Sequence, residues 1–243
     1  MIPKVIHYCW FGGQSLPQSA ERCIKSWQTF LPDYEIKRWD ESNFDVNRIS
    51  YTRKAYKAGK YAFVSDYARF WVIYNYGGLY FDTDVEVVKS LDDIIRTGPF
   101  MGVEQIGREK IAVNPGLGFG AFAGISALKD LLVMYEEMSF INDHAELSKN
   151  NIVEITTRYL IKGGLQNTQQ IQMCSGFTIY PVDYFCPIDY KTRELCITNN
   201  TRTIHHFAES WVPRSTRFKN ALGRIFGAEF MSMLVKIKKN ISH

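Results

Sequence analysis

Apolar positions follow two rhythms in the first half of the chain, one unbroken or alternating and one helical, and the two take turns. Residues 5–11 are a nearly continuous apolar run closed by Gly12-Gly13, which predicts a buried strand. In 17–30 the period changes: Ala20, Ile24, Trp27 and Leu31 recur at helical spacing until Leu31-Pro32-Asp33 breaks the pattern. Residues 34–39 alternate and predict a second strand, and 40–50 are polar and loop-like. A long helical region follows over 51–76, with a break expected at Gly59 and a stop at Gly77-Gly78. Beyond it, 100–104 and 117–122 predict strands, 125–140 and 152–161 helices, and 177–182 and 203–207 short strands. Strands alternating with helices argue for an α/β fold. The second half is less regular, and no internal repeat is visible.

The acidic pair Asp82-Thr83-Asp84 follows the apolar run Gly77-Gly78-Leu79-Tyr80-Phe81, with Val85, Val87 and Val88 after it. The run predicts a buried strand that ends or bends at the pair. Side chains at i and i+2 point the same way on a strand, so both carboxylates would face one spot. Like charges held that close repel unless a cation sits between them, and hard oxygen ligands suit Mg²⁺ or Mn²⁺. Taken alone, the pair also admits a solvated strand end. It also admits a phosphatase of the haloacid dehalogenase type, with Asp82 as nucleophile, although that motif normally sits on a domain's first strand and about eighty residues precede it here.

Three other groupings narrow the choice. Asp66 and Arg69 stand at i, i+3 on one helix face, in surroundings apolar enough to predict burial. Trp10 closes the first strand, where ligands of α/β sheets bind and where an indole could stack on a flat base. His205-His206 precedes Ser210-Trp211 at a late strand end. Only one of the two imidazoles can face a given side, and it would suit Mn²⁺ as a third ligand. Asn114, before Pro115-Gly116, is either a turn residue or a neighbour of a bound sugar or acceptor.

Composition excludes several classes. With 243 residues, 46% of them hydrophobic, a sizeable core is available. No apolar run reaches the ~20 residues that cross a bilayer. Met1-Ile2-Pro3-Lys4 leads directly into the first strand without a secretory leader, so a cytoplasmic location is expected. Five cysteines without a C-x-x-C pair predict reduced, mostly buried thiols rather than zinc. The net charge of +4 divides unevenly. Seven Lys and Arg against one Glu over 214–243 make that segment +6 and leave −2 for 1–213. The body therefore has no nucleic-acid footprint. In the tail, Phe218, Leu222, Ile225, Phe226, Phe230, Met233, Leu234 and Ile237 recur at helical spacing. They predict a basic amphipathic helix, read as contact with a membrane surface or as packing on the body.

Together, in this order, the groupings resemble the DXD-type glycosyltransferases that include fungal α-1,6-mannosyltransferases and bacterial capsular polysaccharide transferases. More distantly they resemble the glucosylating domain of large clostridial toxins. The resemblance rests on the opening Ile2–Gly13 stretch, on Ser65-Asp66-Tyr67-Ala68-Arg69, on Tyr76 through Asp84, on Tyr180 through Pro187 and on His205 through Trp211. It implies a GT-A fold, a single Rossmann-like domain over 1–213 with 214–243 as an appended helix. It also implies a UDP- or GDP-sugar donor, a divalent ion (Mn²⁺ or Mg²⁺), a glycan or lipid-linked saccharide acceptor, and retaining transfer in surface polysaccharide synthesis. The tail would hold the enzyme peripherally on the inner face of the cytoplasmic membrane. Asp84 would bind the metal directly, and Asp82 the ribose or a metal-bound water. Asp66 and Arg69 would hold the sugar hydroxyls and the diphosphate, and Trp10 the base. His206, in preference to His205, would complete the metal shell, and Ser210 and Trp211 would close over the diphosphate. The family often has Gly-Pro where this chain has Gly163-Gly164, so which glycan or lipid-linked saccharide accepts the sugar is not implied.

Overall fold

A computed structural model describes residues 1–106, 110–143, 146–147, 150–189, 192 and 194–208. Ser210, Trp211 and the expected tail helix over 214–243 lie outside the described residues. In chain order the elements are β1 (Val5–Cys9), α1 (Gln18–Phe30), β2 (Glu35–Trp39), α2 (Ser50–Lys57), α3 (Tyr61–Tyr76), β3 (Gly78–Tyr80), β4 (Val85–Val87), α4 (Asp92–Ile95), β5 (Phe100–Ile106) and β6 (Lys110–Val113). After a 3₁₀ turn (Pro115–Leu117) come β7 (Phe119–Ala121), α5 (Ser126–Glu137), α6 (Ile152–Lys162), β8 (Gln172–Cys174), β9 (Phe177–Tyr180), α7 (Val182–Phe185) and β10 (Thr203–His205). Residues Met1–His206 form one compact unit.

The main sheet is mixed, ordered β2-β1-β3-β7-β5-β9-β8, with β6 paired to β5. β1 runs parallel to both β2 and β3. β4 and β10 form a separate antiparallel pair, His205 opposite Val85. Alternation along the strands sets the layers. Tyr8 and Phe81 meet Trp27 of α1 on one face of the sheet. His7 and Tyr80 face the α3 side, where His7 meets Tyr76 and Tyr80 meets the Arg69 guanidinium. The molecule is thus an α/β layering, as the alternation of periods predicted.

Glycine sets the entry to β3. Gly77 and Gly78 have φ of 66° and 108°, and a Cβ on Gly78 would stand 2.6 Å from the Val5 carbonyl oxygen. Only glycine lets α3 turn into a strand lying this close to β1. The long helical region does break at Gly59, where φ is 67°. The acidic pair corrects one detail. Gly78–Tyr80 and Val85–Val87 are two strands in two sheets, and the pair occupies the turn between them, closed by the Val85 amide donating to the Asp82 carbonyl at 3.0 Å. The convergence of the carboxylates therefore comes from this turn and not from strand alternation. α4, β6, β8 and α7 were not legible beforehand, and β8 and α7 lie in the irregular second half.

Candidate functional site

The turn after β3 lies at the carboxyl edge of the sheet, and β10 crosses close to it. Asp82, Asp84 and His205 each offer a ligand atom, and the three atoms lie within 4.8 Å of one another. His205 Nε2 is 3.1 Å from Asp84 Oδ1. Burial works against a charge on His205, but Asp84 beside it, with Asp82 and Glu104 adding, raises its pKa above the ordinary value. Two carboxylates and one imidazole form a donor set that fits a divalent ion, hard oxygens with one borderline nitrogen.

Asp82 is held from three sides. Arg69 Nη1 is 3.1 Å from its Oδ1 and 3.2 Å from its Oδ2, and the Tyr80 hydroxyl donates to Oδ1 at 3.2 Å. Arg69 is itself fixed, with Nη2 3.0 Å from Asp66 Oδ1 and Nε donating to the Ser65 carbonyl at 3.2 Å. The third side is Gly116, where a Cβ would stand 2.2 Å from Asp82 Oδ2. Burial, the largest cause, pushes the Asp66 carboxyl up to about 7, with Asp82 acting the same way and Arg69 opposing. Beneath the site the Cys9 thiol is pushed up to about 12 by burial, so it stays protonated at neutral pH.

The expected site residues fall into place unevenly. Asp66 and Arg69 are buried and paired, and in this arrangement they orient Asp82. His205 is the imidazole beside the acidic pair. His206, favoured from sequence, places its Nε2 2.9 Å from Glu86 Oε2, while its backbone amide donates to the Asp84 carbonyl at 3.0 Å. Trp10 is half-buried just past β1, its indole donating to the Gln14 carbonyl at 2.7 Å. The β1–β3 register pairs His7 with Tyr80, so Trp10 and Asp82 share the carboxyl edge of two parallel strands. Asn114 is buried and caps the 3₁₀ turn beside Asp82, its Oδ1 accepting from the Gly116 amide at 2.7 Å. Sequence reasoning missed Tyr80, Glu104 and Gly116. Tyr80 and Gly116 each lie two residues from a residue already singled out, which was the only signal for them.

Residues 17–101 match the model for the glycosyltransferase sugar-binding region containing the DXD motif. Over 98 residues the chain is 32% identical to inositol phosphoceramide mannosyltransferase 3 of Schizosaccharomyces pombe, covering 39% of this chain and 27% of that protein. Over 109 residues it is 31% identical to an uncharacterised glycosyltransferase of Acanthamoeba polyphaga mimivirus, covering 41% of this chain and 42% of that one. The matches thus span less than half the length of these relatives. Among solved structures, the PaToxG glycosyltransferase superposes with a TM-score of 0.49 at 16% identity, over 66% of this chain and 69% of that one. The galactosyltransferase LgtC gives 0.46 at 16% identity, over 95% and 94%. Asp66, Arg69, Asp82 and Asp84 all lie inside the region, residues 17–101, that matches the DXD-containing glycosyltransferase sugar-binding model.

Proposed function

We propose that the protein is a metal-dependent, retaining glycosyltransferase of GT-A architecture that moves a sugar from a nucleotide-diphospho-sugar to a glycan or lipid-linked saccharide. The observation that carries this reading is the convergence of Asp82, Asp84 and His205 within 4.8 Å at the sheet edge that also carries Trp10. Asp84 and His205 would hold the ion directly, with Asp82 set by Arg69 to reach the ion or a water on it. The imidazole favours Mn²⁺ over Mg²⁺. A bound divalent ion would neutralise charge on the donor diphosphate. Asp66 and Arg69 keep the Asp82 carboxylate in one orientation, so its position does not have to be found anew when donor binds. Trp10 would stack on the base, and Ser210 and Trp211 would cover the diphosphate. The sugar carbon becomes oxocarbenium-like as its bond to phosphate breaks, and the departing phosphate takes the acceptor proton on the same face. UDP-sugars are preferred over GDP-sugars. Surface polysaccharide synthesis and a peripheral place on the inner membrane face complete the reading, and the relative named for an inositol phosphoceramide is in keeping with a lipid-linked acceptor. The hold of Arg69 on both oxygens of Asp82 favours this over a phosphatase with Asp82 as nucleophile.

A thermal-shift panel of UDP- and GDP-sugars, each with and without Mn²⁺, tests the reading. A ligand at ~100 times its Kd contributes about 2.7 kcal/mol, which is about 5–10 °C for a chain of this size. The expected result is a Mn²⁺-dependent rise for one donor class that disappears in Asp84→Asn. A flat panel would overturn the proposal.

A further inference from the structure

One turn reaches both elements that supply the metal ligands. On its Asp82 side, Gly116 lies so close that a Cβ would stand 2.2 Å from Asp82 Oδ2, and the Gly116 carbonyl accepts from the Asp82 amide at 3.2 Å. On its β10 side, the Leu117 carbonyl accepts from Thr203 Oγ1 at 3.2 Å, two residues before His205. The setting of the turn thus bears on Asp82 and His205 together. What sets the turn is the Asn114 amide, whose Oδ1 accepts from the Gly116 amide at 2.7 Å. An amide side chain has two ends of similar shape, and only the oxygen can cap the turn. The end that faces Gly116 is decided by the other contact, Asn114 Nδ2 donating to Glu104 Oε2 at 2.8 Å.

The β5–β6 hairpin explains how Glu104 comes to be there. Glu104 stands opposite Ala112, and the Asn114 amide continues the ladder by donating to the Gly102 carbonyl at 3.1 Å. Glu104 and Asn114 are therefore diagonal neighbours on one face of the hairpin. Glu104 is the carboxylate next to the metal ligands that the proposed reaction does not use, and burial raises its pKa.

We propose that Glu104 is a positioning residue: by fixing the Asn114 amide it locks the Asn114–Leu117 turn that holds Asp82 and β10, and so keeps the carboxylates and His205 in register for a divalent ion. The proposal rests on the metal-dependent reading above. Partners that hydrogen-bond a metal ligand directly typically contribute about 10–100-fold in metal affinity, and Glu104, which acts through Asn114 and the turn, belongs at the low end of that range.

The test is Mn²⁺ titration of the donor-free full chain by calorimetry, with melting temperature without metal as a second readout. Glu104→Met fills the same volume without accepting a hydrogen bond, and it should weaken Mn²⁺ binding about tenfold. Glu104→Gln still accepts from Asn114 and should stay within about threefold of the wild type. Because Glu104 acts through Asn114, the double variant Glu104→Met with Asn114→Ala should bind Mn²⁺ no more weakly than Asn114→Ala alone. Additive losses, or a Glu104→Met chain that melts lower yet binds Mn²⁺ like the wild type, would overturn the proposal. Should Glu104→Met not fold, undiminished binding by Asn114→Ala overturns it as well. Asp84→Asn separates the two readings. If the wild type binds Mn²⁺, Asp84→Asn does not and Glu104→Met does, only the role of Glu104 falls. If Asp84→Asn binds like the wild type, the metal-dependent reading falls and takes this one with it.

Discussion

His7 sits in the apolar layer between β1 and α3, where its Nδ1 accepts from the Trp39 indole at 3.0 Å. Its Nε2 must then carry the proton, and it donates to the Gly77 carbonyl at 3.0 Å, pinning the glycine turn into β3. Burial lowers its pKa from 6.5 to about 4. The unfolded chain takes up this proton first as pH falls. Its contribution is therefore complete above about 6.5 and is lost as pH drops toward 4, roughly 3 kcal/mol in all. Asp66 has the opposite sign, because its folded pKa is raised to about 7. Its contribution is present below the unfolded value near 4 and is lost as pH rises toward 7. The two slopes oppose each other between pH 4 and 6.5. Urea unfolding over that range should show stability falling with rising pH in His7→Gln, which keeps a donor for Gly77, and rising with pH in Asp66→Asn. Identical pH profiles for both variants would contradict the assignment. Neither behaviour was readable in advance. His7 looks like one more residue of an apolar run, and the raised pKa of Asp66 depends on burial that i, i+3 spacing only suggests.

β4 and β10 carry or flank Asp84 and His205, yet they pair with each other and not with the main sheet. Their height over the sheet edge is set by α1. The buried Trp27 indole donates to the Val85 carbonyl at 2.7 Å, and Ser26 Oγ accepts from the Val87 amide at 2.9 Å. Trp27→Phe keeps ring contacts with Tyr8 and Phe81 but deprives the Val85 carbonyl of a donor. The expected cost is about 1–3 kcal/mol, with a Mn²⁺ affinity weakened beyond that of a variant equally destabilised far from α1. Chemical denaturation together with Mn²⁺ titration checks both halves, and an unchanged affinity would show that α1 does not set β4. Elements with strong periodicity, β1, α1 and α3, were legible because one sheet face or one helix stripe dictated their apolar spacing. β8 and α7 are three and four residues long, too short for a period to declare itself. The site divides in the same way. Asp66, Arg69, Asp82 and Asp84 are neighbours in sequence on one helix–turn–strand unit, so spacing revealed them. Glu104 and Gly116 become site neighbours only when β5, β6 and the 3₁₀ turn fold back on the Asp82 turn.

At the scale of the whole molecule, charge is the property that local structure does not explain. Residues 1–213 sum to −2 and 214–243 to +6. Among the described residues no helix is long and apolar enough to cross a membrane. A basic amphipathic segment is suited to meeting an acceptor on a lipid at the membrane surface. Each Lys or Arg near an anionic bilayer contributes about 1 kcal/mol, so on the membrane-surface reading seven of them would give strong binding at low salt that fades once the Debye length falls to about 3 Å near 1 M. Co-sedimentation with phosphatidylglycerol vesicles should pull down the full chain at low salt and release much of it at high salt, and neutral phosphatidylcholine vesicles should retain less. A chain ending at Pro213 keeps the compact unit Met1–His206 and both Ser210 and Trp211. It should stay in the supernatant while still showing the Mn²⁺-dependent thermal shift. If 214–243 packs on the body instead, truncation will lower the melting temperature and leave vesicle binding where it was. Equal sedimentation of the two chains decides against the membrane role, whatever the thermal data show.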